Sequence, residues 1–305
     1  MDRPEQTGWM EQNILDVGMN RMNRLYDRFF KRLFTENKPV LIDFINDTLL
    51  FEGADAIADL EILPGELVPP HVGMKLAMLD VSARLMDGST VDIEVQLVNH
   101  RDFRKRAPFY WAMRHVMKLD AGMTYLEIKP TICICLLAFD LFDEEADYRN
   151  VYGIRNESSG KALCEDMRIV YLELPKFRRQ LDREQVPRTG LERWLLYFSN
   201  EEGELMERVA EQDSAISRAR TLERTFWSDK RERERYFAMQ RRLMDEVSRE
   251  RNHEVLLRQE RERALIEGKK AGQLEIARRM LRSGIAPDVV AETSGLSEEE
   301  VHGLL

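Results

Sequence analysis

Cysteine, histidine, long apolar runs and surplus positive charge are all scarce in this sequence. Its three cysteines, Cys133, Cys135 and Cys164, have neither metal-ligand nor disulfide-framework spacing. That excludes a cysteine-stapled scaffold and fits a reducing compartment. The five histidines show no paired ligand spacing. No run reaches the roughly 18 apolar residues of a membrane span, and the opening M-D-R-P-E-Q-T-G carries no apolar signal region. A soluble, cytoplasmic protein without membrane contact is expected. Net charge is −9 and the pI is near 5.3, so the chain does not attract anions by bulk electrostatics. Any nucleic-acid contact needs a local basic patch.

What is present is a large apolar fraction of 43%, enough for a sizeable core, beside 33% charged residues. The charged share exceeds the usual quarter or so, which implies an exposed, charged helical region. At 305 residues the chain exceeds one small domain.

The stretch Met78 to Val98 organises the reading. Leu79, Val81, Ala83 and Leu85 alternate with Asp80, Ser82 and Arg84; Val91, Ile93, Val95 and Leu97 alternate with Asp92, Glu94 and Gln96. Asp87-Gly88 between the two runs is a hairpin signal. A two-residue turn throws apolar side chains onto the polar face. A three-residue turn, Met86-Asp87-Gly88 with Gly88 left-handed, keeps the faces separate, because a one-residue slip reverses every side chain. The second register pairs Leu85 with Ser89 and sets Asp80 opposite Glu94, with Cβ atoms roughly 4.5–5.5 Å apart. Like charges that close repel. The face is therefore either the wet side of an antiparallel sheet or a set of hard oxygen ligands for Mg²⁺ or Mn²⁺.

Ahead of the hairpin, Leu25, Phe29, Phe30, Leu33 and Phe34 predict a core-facing helix. A second follows, with Asn37 as its cap, Pro39 in its first turn and Gly53 after its end. Residues 57–68 suggest a strand broken at Pro64-Gly65. Behind the hairpin, residues 100–120 begin with a basic cluster and continue as an aromatic-rich helix whose start is expected at Pro108. Thr131 to Leu141 is an uninterrupted apolar run, the mark of a strand buried on both faces. Cys133 and Cys135 are expected to pack within it. Residues 150–155 and 167–174 suggest further strands. Strand signals then stop, and helices with sparse apolar positions follow from Leu191. The end of the chain outlines three small helices separated by Gly284 and Gly295, with a Ser297–Glu300 capping box on the last. A helix-turn-helix is one reading of this tail. Its would-be recognition helix opens Ser297-Glu298-Glu299-Glu300, where carboxylates repel phosphates, so packing or dimerisation is favoured over base reading.

The segments Y-D-R-F-F-K-R-L-F at Tyr26–Phe34, L-D-V at Leu79–Val81, V-D-I-E-V-Q at Val91–Gln96, I-C-I-C-L-L-A-F-D-L-F from Ile132 and Y-L-E-L-P-K-F at Tyr171–Phe177 occur in that order. Together with Arg106, Tyr110, Gly122 and Tyr125 they resemble the bacterial recombination-promoting, transposase-like nucleases of the PD-(D/E)XK superfamily. Gln96 stands where the superfamily motif has lysine. The resemblance implies an α/β fold: a restriction-endonuclease-like mixed sheet flanked by helices over residues 1–185. A charged helical region at 186–265 and a small helical tail at 266–305 follow. It further implies a Mg²⁺- or Mn²⁺-dependent DNA endonuclease, a hydrolase promoting recombination or transposition-like events. Asp80 and Glu94 would be metal ligands, the Val95 carbonyl would complete the coordination, and Gln96 would position water. Asp27 matches an acidic position of the family. Asp92 is expected either beside the site or solvated, and Tyr110 either in the site or in the core. Arg101, Arg104, Lys105 and Arg106 would either contact DNA or form a solvated helix start, and a homodimer is expected. The alternative is a catalytically weak or inactive nuclease-fold module for DNA binding or assembly.

Overall fold

The computed structural model describes residues 21–67, 77–119, 122–182 and 185–305. The hairpin is at the middle of its main sheet. Strand β1 (Leu60–Leu63), the short β2 (Glu66–Leu67) and β3 (Ala77–Met78), β4 (Val81–Leu85), β5 (Thr90–Gln96), β6 (Thr131–Leu137), β7 (Arg149–Tyr152) and β8 (Met167–Glu173) occur in that order. Six of them form one mixed sheet in the order β1-β4-β5-β6-β8-β7, while β2 and β3 pair separately. The β5-β6-β8 steps are parallel and the others antiparallel.

The register of the hairpin follows the three-residue turn. Val81 pairs with Ile93 and Ser82 with Asp92. The Leu85 N–H donates to the Ser89 carbonyl at 2.8 Å, and Gly88 has φ +87°. Gly88 is needed there because a side chain at such a φ strains the backbone.

Helix α1 (Asp27–Thr35) and α2 (Lys38–Leu49) precede the sheet, α3 (Phe103–Val116) crosses from β5 to β6, and α4 (Leu174–Gln180) leaves β8. Helix α3 starts at Phe103, not at Pro108, which lies inside it; the buried Phe103 and Ala107 anchor the turn ahead of the proline. Helix α2 is preceded by Asn37, whose side chain makes no capping bond, and ends at Leu50 in the left-handed region. Its expected stop at Gly53 is three residues late.

Every residue of β6 is buried, as the apolar run predicts. Cys133, Cys135 and Leu137 pack with Phe103, Ala107, Ile169 and Tyr171 beneath α3, while Ile134, Leu136 and Val170 are buried as well. Helices α5 (Gly190–Phe198), α6 (Glu204–Gln212) and α7 (Ser214–Ser228) belong to the same compact unit as the sheet, which extends to Phe237. They explain the aromatic content of α1 and α2: Phe30 and Phe34 of α1 meet Phe198, Phe44 of α2 meets Trp194, and Phe29 of α1 meets Phe226 edge-on at 5.3 Å. Such pairs contribute about 0.5–1.5 kcal/mol each beyond burial. Arg24, just ahead of α1 and 1% exposed, donates to the carbonyls of Tyr197 and Glu201 and pairs with Glu202 and Glu223.

The second unit covers Ala238–Leu305. Helix α8 (Lys230–Arg282) is continuous, so the first of the three expected tail helices is its last turns; α9 (Pro287–Ser294) and α10 (Glu298–His302) follow. Ala277, Val290, Ala291, Leu296 and Val301 form a small core, and the Ser297–Glu300 capping box is present. Among the described residues no helix is long and apolar enough to cross a membrane.

Candidate functional site

Asp80 lies in the bend before β4, and Glu94 lies opposite it on β5. Two cross-strand bonds tie them. The Val95 N–H donates to Asp80 Oδ2 at 2.8 Å, and the Asp80 N–H donates to Glu94 Oε1 at 3.2 Å. The segment bearing Asp80 is set by a close backbone approach. The Leu79 N–H donates to the Gly65 carbonyl at 2.8 Å, and a Cβ on Gly65 would be 2.3 Å from the Leu79 carbonyl oxygen. The Pro64-Gly65 pair is therefore more than a turn signal, since only glycine admits that contact.

The face carrying these carboxylates is covered, not wet. Helix α3, packed on β6 and β8, reaches it through Arg106 and Arg114, and Glu94 and Asp92 are buried. Asp92 takes neither a solvated position nor one open to a ligand: it accepts from Ser82 Oγ at 2.7 Å and from Arg114 Nε at 3.1 Å, and Arg114 also donates to Ser82. Burial, followed by the hydrogen bond to Asp27, pushes the Asp80 carboxyl up to about 7. Burial, followed by the neighbouring Asp80, raises Glu94 well above the ordinary carboxylate range. Desolvation and like charge both disfavour the ionised pair, a cost that a bound cation would offset.

Asp27 reaches this cluster. Lys31, one turn further along α1, bridges Asp27 Oδ1 at 2.7 Å and Asp80 Oδ1 at 3.3 Å. Neither residue's placement is legible from the hairpin, although the i,i+4 spacing of Asp27 and Lys31 opposite the apolar stripe of α1 was a usable signal. Among the described residues no three carboxylate, histidine or cysteine side chains form a ready cation cage.

Gln96, two residues beyond Glu94, accepts a hydrogen bond from Arg106 Nη2. Arg106 also approaches Asp102 at 3.5 Å and lies over the Phe103 ring, and its Nε is buried with no partner among the described residues. Tyr110 is half-buried against Leu67, Leu79 and Met113, close enough to Arg106, Glu94 and Asp80 to feel their charges. It is a core residue facing the site. The rest of the basic cluster diverges. Arg104 turns to the Leu141 carbonyl, Glu144 and the Phe142 ring, Lys105 is exposed, and Arg101 has φ +62° in an exposed loop. A cavity of about 560 Å³ opens at the turn end of the hairpin, lined by Phe51, Ile57, Leu85, Met86, Ile132 and Arg168. It lies at the opposite end of β4 from Asp80.

A family model described as PD-(D/E)XK nuclease family transposase matches residues 24–252. A second, described as the C-terminal HTH domain of the Rpn/YhgA-like nuclease family, matches residues 270–305. No curated protein and no solved structure matches the chain. The tail is thus matched as a helix-turn-helix domain, although α10 opens with three glutamates, of which Glu300 is engaged by its capping box and by Lys270 at 2.8 Å. The first match covers well over half of the chain and contains the sheet, α1 and the paired carboxylates, so this protein belongs to the PD-(D/E)XK nuclease family transposases.

Proposed function

We propose that the protein is a divalent-metal-dependent DNA endonuclease that hydrolyses phosphodiester bonds in recombination or transposition-like events. The observation that carries this reading is the pairing of the half-buried Asp80 with the buried Glu94, two carboxylates tied face to face with Asp27 beside them. A buried like-charge pair is costly unless a cation or protons neutralise it. The donors are hard oxygens, which fit Mg²⁺ or Mn²⁺. Asp80, Glu94 and the Val95 carbonyl would hold the ion. When bound it would polarise a phosphoryl oxygen and lower the pKa of a coordinated water. Gln96, oriented by Arg106, would hold the attacking water or a phosphate oxygen by hydrogen bonds.

DNA would be held by local positive charge, with Lys105 and Arg101 at the rim, Arg106 nearer the carboxylates and the helix-turn-helix domain as a separate contact. The same reading includes self-association through α8, on which Val255, Leu256, Leu257, Leu265 and Ile266 are exposed. Sedimentation at several concentrations tests that part.

The activity test is nicking of plasmid DNA by the purified chain with Mg²⁺ or Mn²⁺. Asp80→Ala and Glu94→Ala should each lose it while keeping a cooperative melt. Undiminished cutting by both variants would remove the assigned site. One observation favours a second reading, a non-catalytic DNA-binding module. The Gln96 amide oxygen is already committed to Arg106, and no lysine occupies that position. Salt-sensitive DNA binding with no cleavage in either metal would establish that alternative.

A further inference from the structure

Phosphodiester hydrolysis builds negative charge on the non-bridging oxygens, and a site made of carboxylates needs a fixed cation of its own to meet it. The motif offers none, because Gln96 is neutral. Arg106 is bound to Gln96 and Asp102 on the α3 side of the cluster. On the α1 side the candidate is Lys31.

Its geometry is specific. Of the two oxygens of Asp80, Oδ2 is tied down by the Val95 N–H. The remaining one, Oδ1, is covered by the Lys31 ammonium, which also holds Asp27 Oδ1. The oxygen through which Asp80 would meet a divalent cation is the one the ammonium occupies. Lysine and metal therefore compete for it. The helix itself is anchored by Phe29, Phe30, Leu33 and Phe34 on its other face, which are fully buried. The lysine side chain is 35% exposed and sits on a flexible four-carbon stem. It can turn away from Asp80 without moving α1.

We propose that Lys31 is the resident counter-ion of the site and its active-site cation. With no metal bound it bridges Asp27 and Asp80 and offsets part of their charge. When a divalent ion takes Asp80 Oδ1, the ammonium is released from that oxygen and donates to a non-bridging oxygen of the DNA phosphate at the site. No covalent bond changes in this exchange: one charge-assisted hydrogen bond is given up and another is made. The inference deepens the nuclease reading, and it supplies the positive charge that Gln96 does not.

The competing role is a plain ion pair that pins α1 to the hairpin. The two roles differ in a measurement that needs no turnover. Mn²⁺ binding is followed by calorimetry on the full-length wild type and Lys31→Met. Affinity for a short DNA duplex is then measured with and without Ca²⁺, used as a divalent ion with cleavage scored separately. Counter-ion exchange gives Lys31→Met a Mn²⁺ Kd several-fold below wild type. It also makes DNA binding about tenfold weaker than wild type in Ca²⁺, the worth of one hydrogen bond to a charged group, with no difference in its absence. Lys31→Arg, which keeps the charge, should retain the Ca²⁺-dependent DNA affinity. Unchanged or weaker Mn²⁺ binding by Lys31→Met, or equal DNA affinity in Ca²⁺, overturns the proposal. If Lys31→Met gives no cooperative melt, Lys31→Gln takes its place in the same comparison. Tighter Mn²⁺ binding and Ca²⁺-dependent loss of DNA affinity in Lys31→Met, beside a wild type that cuts no DNA, would sink the nuclease reading and leave the counter-ion exchange standing.

Discussion

Replacing Arg114 with methionine leaves the Asp92 carboxylate, which has no exposed side-chain surface, with Ser82 as its hydrogen-bond donor among the described residues. The arginine side chain is itself only 12% exposed and its Nε is 3.1 Å from Asp92 Oδ2. At that distance the attraction is about 5 kcal/mol for an effective dielectric of about 20, against which the desolvation of both groups must be set. Breaking a buried pair from one side costs about 3–5 kcal/mol, because the survivor is left charged and unpaired. The slight exposure of Arg114 lets water reach the gap, so about 3 kcal/mol is expected for Arg114→Met. Removing both charges in Arg114→Met/Asp92→Asn should bring stability back to within about 1 kcal/mol of wild type, since an asparagine still bonds Ser82. Urea denaturation followed by tryptophan fluorescence reads this. Trp111, Trp194 and Trp227 all lie in the unit that holds the sheet, and the second unit has none. A single-variant loss below about 1 kcal/mol, or a double variant as unstable as the single, would refute the claim that Asp92 and Arg114 fix α3 onto the hairpin.

Gly65→Ala places a methyl against the Leu79 carbonyl oxygen and must shift the segment leading to Asp80. A loss of about 1–3 kcal/mol is expected, together with weaker Mn²⁺ binding, and thermal melts with and without Mn²⁺ check both. Asp47 gives a pH signature away from the site. Burial, and then the neighbouring Asp43, push its carboxyl up to about 7 from 3.8. A carboxyl raised in the folded state contributes stability that is full below about pH 4 and lost as the pH climbs through 7. Asp47→Asn should therefore gain on wild type as the pH rises from 4 to 8, by about 1–2 kcal/mol after discounting for partial exposure. A difference that is flat across that range would contradict it.

The hairpin was legible because its information is local. A period of two, one turn and one glycine fix the register, and the register alone sets Asp80 against Glu94. The buried strand β6 was legible for the same reason. Of the two places open to Asp92, beside the site or solvated, the solvated one is excluded by burial, and the sequence did not show why: its partner Arg114 stands 22 residues away on a helix whose docking no local pattern announces. Lys31 and Arg24 were missed on similar grounds. Each reads as an ordinary charge on a helix or at its entrance until α5, α7 and the hairpin are brought around it. The first of the three tail helices was not legible as the end of a longer one. Charged residues with helix propensity continue through to Arg282, and nothing before Gly284 stops the helix.

The seat of α1 has a consequence for when the chain can act. Asp80 and Glu94 come together as soon as the hairpin closes, but Asp27 and Lys31 are aimed by contacts with Tyr197, Phe198, Glu223, Phe226 and Glu232. Those partners are made more than 160 residues after the helix they hold. A nascent chain emerging from the ribosome therefore carries the paired carboxylates well before it carries a docked first helix. On the proposed reading, cutting competence arrives late in synthesis, when the last contact of the helical layer closes.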